Sequence, residues 1–189
     1  MPNLYMIAGC NGAGKTTTSY TVLPEMLNCK EFVNADEIAR GLSPFQPETV
    51  SFHAGRIMLD RIKELLTEKK EFGFETTLSS RSYVPLLEQA KANGYTLMLI
   101  FFWLESIDLA KSRVLERVKK GGHNIPPDTI ERRYSRGLKN FFHLYQNIVH
   151  SWFIYNNSAV TPQPIAKGIG QVTTYVFNDD LWNAINKWK

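Results

Sequence analysis

Eight consecutive residues, Gly9-Cys10-Asn11-Gly12-Ala13-Gly14-Lys15-Thr16, satisfy the spacing G-x-x-x-x-G-K-[ST]. They follow the apolar run Asn3 to Ala8 and open a helix from about Gly14, the setting in which this string cradles phosphate. Glycines let the backbone wrap close to phosphate oxygens, and successive N–H groups with the helix N-terminus supply positive potential. Lys15 is then positioned to bridge β- and γ-phosphates, and Thr16 to ligate Mg²⁺. Gly9, Asn11, Gly12, Ala13, Gly14, Lys15, Thr16 and Thr17 form the expected cofactor-binding set.

The loop alone does not say what is done with the phosphates, so the other strand ends carry the information. Asp36, in "VNADEIAR", follows the short strand Glu31 to Asn34. It is positioned to accept the proton of a substrate hydroxyl, the alternative being a helix cap. Glu75 ends the run of the strand that begins at Phe72, and Thr77 lies two positions on along the same face, so that together they could hold substrate hydroxyls. A carboxylate after "FGF" is expensive to bury without partners, which favours a site role. Arg81, in the next loop, is a candidate contact for an anionic substrate. No Asn-Lys-x-Asp base-reading motif is present, and no apolar strand ends in the Asp or Asp-Glu expected of a motor ATPase. A small kinase is what remains.

The elements that must position these residues alternate. Strands are expected at Asn3 to Ala8, Glu31 to Asn34, Phe72 to Thr77, Tyr95 to Leu104, Trp152 to Tyr155 and Val172 to Phe177. A first helix, from about Gly14, is expected to stop before Pro24. Longer helices are expected over about Pro47 to Lys69, with Val50, Ile57, Leu59, Ile62, Leu65 and Leu66 inward, over Tyr83 to Ala92, and over Ser106 to Lys120. Ile130, Tyr134, Leu138, Phe141, Tyr145, Ile148 and Trp152 repeat at spacings of four and three and predict one long packed helix, and Asp179 to Lys189 a closing one. This pattern predicts an α/β fold in a single domain over 1–189, with a mainly parallel sheet covered by helices on both faces.

Residues 111–139 hold nine Lys/Arg against three acids, more than the whole net charge of +4, so the positive field is local. Arg113 and Arg117 lie four apart on their helix. Gly121-Gly122 ends it, and Pro126-Pro127 with Asp128 suits the start of the next. A Gly-hinged helical hairpin over roughly 113–136 is expected to act as a lid, bringing arginines to the transferring phosphoryl group. His123 has no ligand-spaced partner for a metal. Tyr134, Phe141 and Tyr145 fall on the core stripe, which argues against nucleic acid as the partner of the basic patch.

The apolar run Tyr95 to Leu104 is about half of what a membrane span needs. With no basic leader and only Cys10 and Cys29, at neither metal nor disulfide spacing, the expectation is a cytoplasmic protein without a membrane partner.

"GCNGAGKTT", "NADEIAR", "FETTLSSR" and Arg117 leading into "GGHNIPPDTIERRY", in that order, resemble the zeta toxin family of P-loop kinases over roughly residues 3–140. The resemblance implies a P-loop kinase fold, ATP and Mg²⁺ as cosubstrates, and a small-molecule hydroxyl acceptor, in characterised zeta toxins the 3′-hydroxyl of a UDP-N-acetylated amino sugar. An antitoxin protein is a further candidate partner. Carried over, Lys15 and Thr16 are phosphate-loop residues, Asp36 the catalytic base, Glu75 and Thr77 the substrate-binding pair, and Arg117 an arginine at the start of the lid. The chain departs from the pattern where His123 and Asn124 stand near an expected lid arginine, where Thr76 replaces glycine, and where Arg40, a further substrate-binding candidate, falls one place late. Arg132 and Arg133 are both open as the arginine that completes the catalytic set. Kinases of a nucleoside, an antibiotic or another sugar, a protein acting mainly through a partner, and a nucleic-acid 5′-kinase are the rival readings.

Overall fold

A computed structural model describes residues 1–189. One seven-stranded sheet runs in the order β2-β3-β1-β4-β5-β6-β7. Its strands are β1 (Asn3–Gly9), β2 (Phe32–Val33), β3 (Phe72–Thr76), β4 (Thr96–Trp103), β5 (Ser151–Asn156), β6 (Gln163–Ile169) and β7 (Val172–Val176). The first five pair in parallel. β1 and β4, buried on both faces, read as near-continuous apolar runs for that reason. The parallel register brings Gly9, Thr76 and the end of β4 to one edge, where the chain leaves for its loops.

The sheet is mainly parallel, as the alternation predicts, and only its far edge is antiparallel. β6 and β7 return antiparallel, and β6 was not marked by the sequence pattern at all. Pro164 cannot donate to a ladder, and it is tolerated because the register shifts between Ile154 and Tyr155, just where Pro164 comes opposite Tyr155. The turn between β6 and β7 is short enough for a hairpin, so no crossover helix is needed.

The helices are α1 (Lys15–Thr21), α2 (Ala35–Leu42), α3 (Ser51–Thr67), α4 (Val84–Ala92), α5 (Ile107–Lys119), α6 (Pro127–Asn140), α7 (Gln146–Ile148) and α8 (Asp179–Asn186). α1 passes into a wide turn over Val22–Met26, which accommodates Pro24. α3 is preceded by a tighter turn over Pro47–Val50, and its inward stripe is Ala54, Met58, Ile62, Leu65 and Leu66. Ile57 and Leu59 are only half-buried, so the expected face was rotated. The long helix expected to reach Trp152 ends sooner: α6 widens over Phe141–Tyr145, α7 finishes it, and Trp152 begins the next strand pair. Trp152 lies edge-on to Phe141 at 5.5 Å and stacks on Trp182 of α8 at 5.9 Å, which ties the two ends of this region into the core. No helix is long and apolar enough to cross a membrane. Both cysteines are buried and free, and burial pushes each thiol up to about 11.

Candidate active site

The loop between β1 and α1 is held by close approaches that only glycine permits. Gly14 has φ +75°, and a Cβ there would lie 2.6 Å from the Asn157 amide nitrogen. That amide donates to the Ala13 carbonyl at 2.7 Å. Asn157 is itself fixed by Arg113, whose guanidinium donates to the carbonyls of Asn157 and Ser158, each at 2.7 Å. Arg113 therefore braces the phosphate loop through the end of β5, and its donors are committed to backbone.

Lys15 is buried and donates to the Cys10 carbonyl at 3.0 Å, folding its ammonium back over the loop. The same ammonium lies 3.3 Å from a Glu75 carboxylate oxygen. The other Glu75 oxygen accepts from the Thr16 hydroxyl at 2.6 Å and from the Asn34 amide at 2.9 Å. Glu75 thus sits against the phosphate loop, joined to it through Lys15 and Thr16. The donor set fits Mg²⁺ bound largely by phosphate: Thr16 offers a hydroxyl and Glu75 a carboxylate beside it, and no cluster of three or more His, Cys, Asp or Glu forms a self-sufficient metal cage.

Asp36 does not cap α2. Asn34 does, accepting from the Asp36 backbone N–H at 2.8 Å, so the carboxylate of Asp36 is left free in the first turn, where the helix N-terminus stabilises its charge. An N-cap asparagine two residues before Asp36 was readable from the sequence, and Asn34 is the functional neighbour that reading missed. His123 approaches Asp36 to 4.0 Å from the loop joining α5 and α6. Arg117 donates to the His123 carbonyl at 2.9 Å, and Gly122 lies tightly over the Arg117 side chain, so the hinge is packed onto α5.

The two adjacent arginines of α6 separate cleanly. Arg132 is exposed and reaches only Thr129 at 3.5 Å. Arg133 turns inward, donating to the Asn11 side chain at 3.2 Å. Burial pulls its guanidinium below the usual arginine range, and the nearby Asp36 carboxylate opposes that shift. α6 is pressed against the loop after β3 at Gly137, where a Cβ would lie 2.5 Å from the Thr77 carbonyl oxygen. Asn140 donates to the Leu78 carbonyl at 2.7 Å, and the Tyr145 hydroxyl donates to the Ser80 carbonyl. Leu78 is held at φ +54°, a left-handed conformation that a leucine adopts only when its surroundings impose it.

Two cavities share this centre. One, of about 470 Å³, is lined by Asn11, Gly12, Lys15, Thr16 and Thr17 of the loop, by Arg40, Arg117 and Lys120, and by Asp36 and Glu75. The other, of about 250 Å³, holds Thr77, Ser79, Ser82 and Tyr83 with the same Lys15, Asp36 and Glu75, and with Arg133. Thr77 faces this second cavity and pairs with the Ser79 hydroxyl at 2.8 Å. Arg40 lies on the nucleotide side, largely exposed beside Glu37. Arg81 lines neither cavity, but an adjoining one of about 830 Å³. The largest cavity, about 1000 Å³, opens beside β2 and contains none of Lys15, Thr16, Asp36 or Glu75.

A family model described as zeta toxin matches residues 1–161. An uncharacterized protein of Haemophilus influenzae is 29% identical over 127 residues, 67% of this chain and 88% of that protein. Among solved structures, a chain of the AvrRxo1-ORF1:-ORF2 complex with ATP matches with a TM-score of 0.77 at 16% identity, over 98% of this chain. This chain spans 63% of that chain's length. A chain from the PezAT chromosomal toxin-antitoxin system of Streptococcus pneumoniae matches with a TM-score of 0.70 at 17% identity, over 97% of this chain and 78% of that one. At these identities the two solved structures speak for the fold.

Proposed function

The chain belongs to the zeta toxin family, with a P-loop kinase fold, and from that premise we propose that it transfers the γ-phosphate of ATP to a hydroxyl of a small molecule, a UDP-N-acetylated amino sugar. One observation carries the reading: a phosphate-loop cavity and a smaller polar cavity meet at Lys15, Asp36 and Glu75. A donor phosphate and an acceptor hydroxyl would face each other across that junction.

In this reading Asp36 accepts the hydroxyl proton, its charge favoured by the α2 N-terminus. Lys15 exchanges Glu75 for the β- and γ-oxygens, and Glu75 with Thr77 orients the acceptor from the β3 side. The Thr16 hydroxyl, with the Glu75 carboxylate beside it, would hold a Mg²⁺ brought in with ATP, which would supply charge neutralisation to the phosphates. Arg133, already desolvated beside Asn11, supplies fixed positive charge to the transferring group, and Arg117 does so from the nucleotide side. Arg132 has no part in the transfer. The hairpin over 113–136 acts as a lid within one domain, hinged at Gly121, which has φ +81°.

The AvrRxo1-ORF1:-ORF2 and PezAT structures are, by their names, a complex and a toxin-antitoxin system. We extend this to an antitoxin-like protein that covers the nucleotide cavity. The test is ADP release with ATP and Mg²⁺ across UDP-sugars, nucleosides and aminoglycosides, with Lys15→Ala as the blank. Stimulation by a UDP-sugar supports the acceptor; stimulation only by another class replaces it.

A further inference from the structure

His123 has no part in the transfer described above, yet the fold holds it against the reacting centre. It stands in the loop between α5 and α6, and its backbone carbonyl accepts from the Arg117 guanidinium at 2.9 Å. Gly122 packs so closely over Arg117 that an added Cβ would lie 2.5 Å from that side chain, which fixes where the loop turns. The imidazole is thereby directed into a cavity of about 340 Å³ that it shares with Thr16, Tyr20, Asp36, Glu37, Arg40 and Arg117. Its Nδ1 is shut off from water and has no hydrogen-bond partner.

A buried ring nitrogen without a partner is costly, and each such group calls for an explanation. Two carboxylates line the same cavity. Glu37 lies toward Arg40, at 3.9 Å. Asp36 is left free by the Asn34 cap, and its Oδ1 lies 4.0 Å from the His123 Nδ1. A hinge movement of about 1 Å brings that pair to hydrogen-bond distance. Arg133 of α6 also acts on the Asp36 carboxylate, so the two arms of the lid, one at the hinge and one on the helix beyond it, converge on the same group.

We propose that His123 is a positioning residue for the base: as the lid closes, its Nδ1–H donates to Asp36 Oδ1 and turns the other carboxylate oxygen toward the acceptor hydroxyl, an inference that rests on Asp36 as the base and deepens that reading. The hydroxyl proton then goes to an oxygen whose direction is set only in the closed enzyme. Without the donor the carboxylate rotates about its Cβ–Cγ bond, and the geometry that makes proton transfer efficient is populated less often. A role for His123 as a cation on the transferring phosphoryl group is disfavoured, because its Nδ1 faces a carboxylate and Arg117 and Arg133 already supply that charge.

The experiment measures kcat and KM with ATP, Mg²⁺ and UDP-N-acetylglucosamine, or the acceptor that replaces it, for wild type, His123→Ala, His123→Asn and His123→Gln, with thermal melts to match folded protein. Alanine should lower kcat about 10-fold and leave the KM for ATP within about twofold. Asparagine carries its amide nitrogen on Cγ, as histidine carries Nδ1, and should recover kcat to within about threefold of wild type, whereas glutamine, one carbon longer, should remain near the alanine value. Added to Asp36→Ala, the His123→Ala change should cost nothing further. A wild-type kcat in His123→Ala, an asparagine variant as slow as alanine, or a full further loss in the Asp36→Ala background overturns the role and leaves the kinase standing. If wild type phosphorylates no acceptor, the kinase reading fails instead. The pair is then decided by long-range ¹H–¹⁵N spectra of histidine-labelled protein saturated with a non-hydrolysable ATP analogue and Mg²⁺, at about pH 8 where the ring is neutral. A His123 proton on Nδ1 that moves to Nε2 in Asp36→Ala supports the hydrogen bond, and a proton on Nε2 in wild type overturns it.

Discussion

Gly137→Ala separates helix propensity from the packing that sets the site. In an exposed helix the change would stabilise by about 1 kcal/mol. Here the new Cβ would lie 2.5 Å from the Thr77 carbonyl oxygen, about 1 Å inside van der Waals contact with backbone that cannot rotate away. Relief requires α6 to move off the β3 loop, at an overpacking cost of about 2 kcal/mol. That movement stretches the 2.7 Å bond from Asn140 to Leu78, a further loss of about 1 kcal/mol that offsets the propensity gain. The net expectation is a destabilisation of about 2 kcal/mol. With an m-value of about 2 kcal/mol/M, the urea midpoint should fall by about 1 M. Arg133 lies one turn away on the same helix, so phosphate transfer should fall as well. A midpoint equal to or above wild type would refute the packing argument.

Three further outcomes are expected. Arg133→Ala should lower kcat by about 100-fold or more, with incomplete rescue by lysine, whereas Arg132→Ala should leave kcat within twofold; steady-state kinetics of the pair decides, and the reverse order would reassign the lid. Asn34→Ala removes the α2 cap and a Glu75 donor and should cost about 1 kcal/mol, a fall of about 2–4 °C in Tm, and Asn34→Asp, which keeps the cap but puts a carboxylate oxygen where the amide donated to Glu75, should not recover the melting temperature. His150 accepts from the Leu97 N–H through Nδ1 at 2.9 Å, and burial holds its pKa below the usual 6.5. Because the neutral ring is favoured in the fold, the unfolded chain binds more protons; His150 contributes fully above pH 6.5, and its contribution is lost as pH falls toward the depressed value. Urea midpoints between pH 7.5 and 5 should therefore drop more steeply in wild type than in His150→Gln, and parallel curves would contradict this.

The site was legible where its chemistry is local. The phosphate loop is one unbroken stretch, and Asp36 and Thr77 stand just beyond strands whose apolar pattern is plain. Arg132 and Arg133 could not be separated from sequence, because neighbours on a helix differ only by a rotation that the Gly137 contact with Thr77 fixes. Glu75 was read with Thr77 as a substrate-holding pair, and what the sequence did not show is that its oxygens also meet Lys15, Thr16 and Asn34, which come from two other segments. Arg136 and Lys139 were counted in the basic run but not placed beside Arg81, since a helix read mainly for its core stripe does not show which loop its exposed face meets. β6 was illegible because Pro164 and Gly168 hide a strand that survives by register shifts on both sides.

The central claim is that Asp36 takes the proton of an acceptor hydroxyl as Lys15 holds the departing phosphoryl group. Mass spectrometry of UDP-N-acetylglucosamine incubated with ATP and Mg²⁺ tests it most directly, with wild type and Asp36→Asn compared at matched folded concentration. A phosphomonoester product is expected with wild type, and a rate about 10²- to 10⁴-fold lower with Asp36→Asn. A variant that makes the product at the wild-type rate would contradict it.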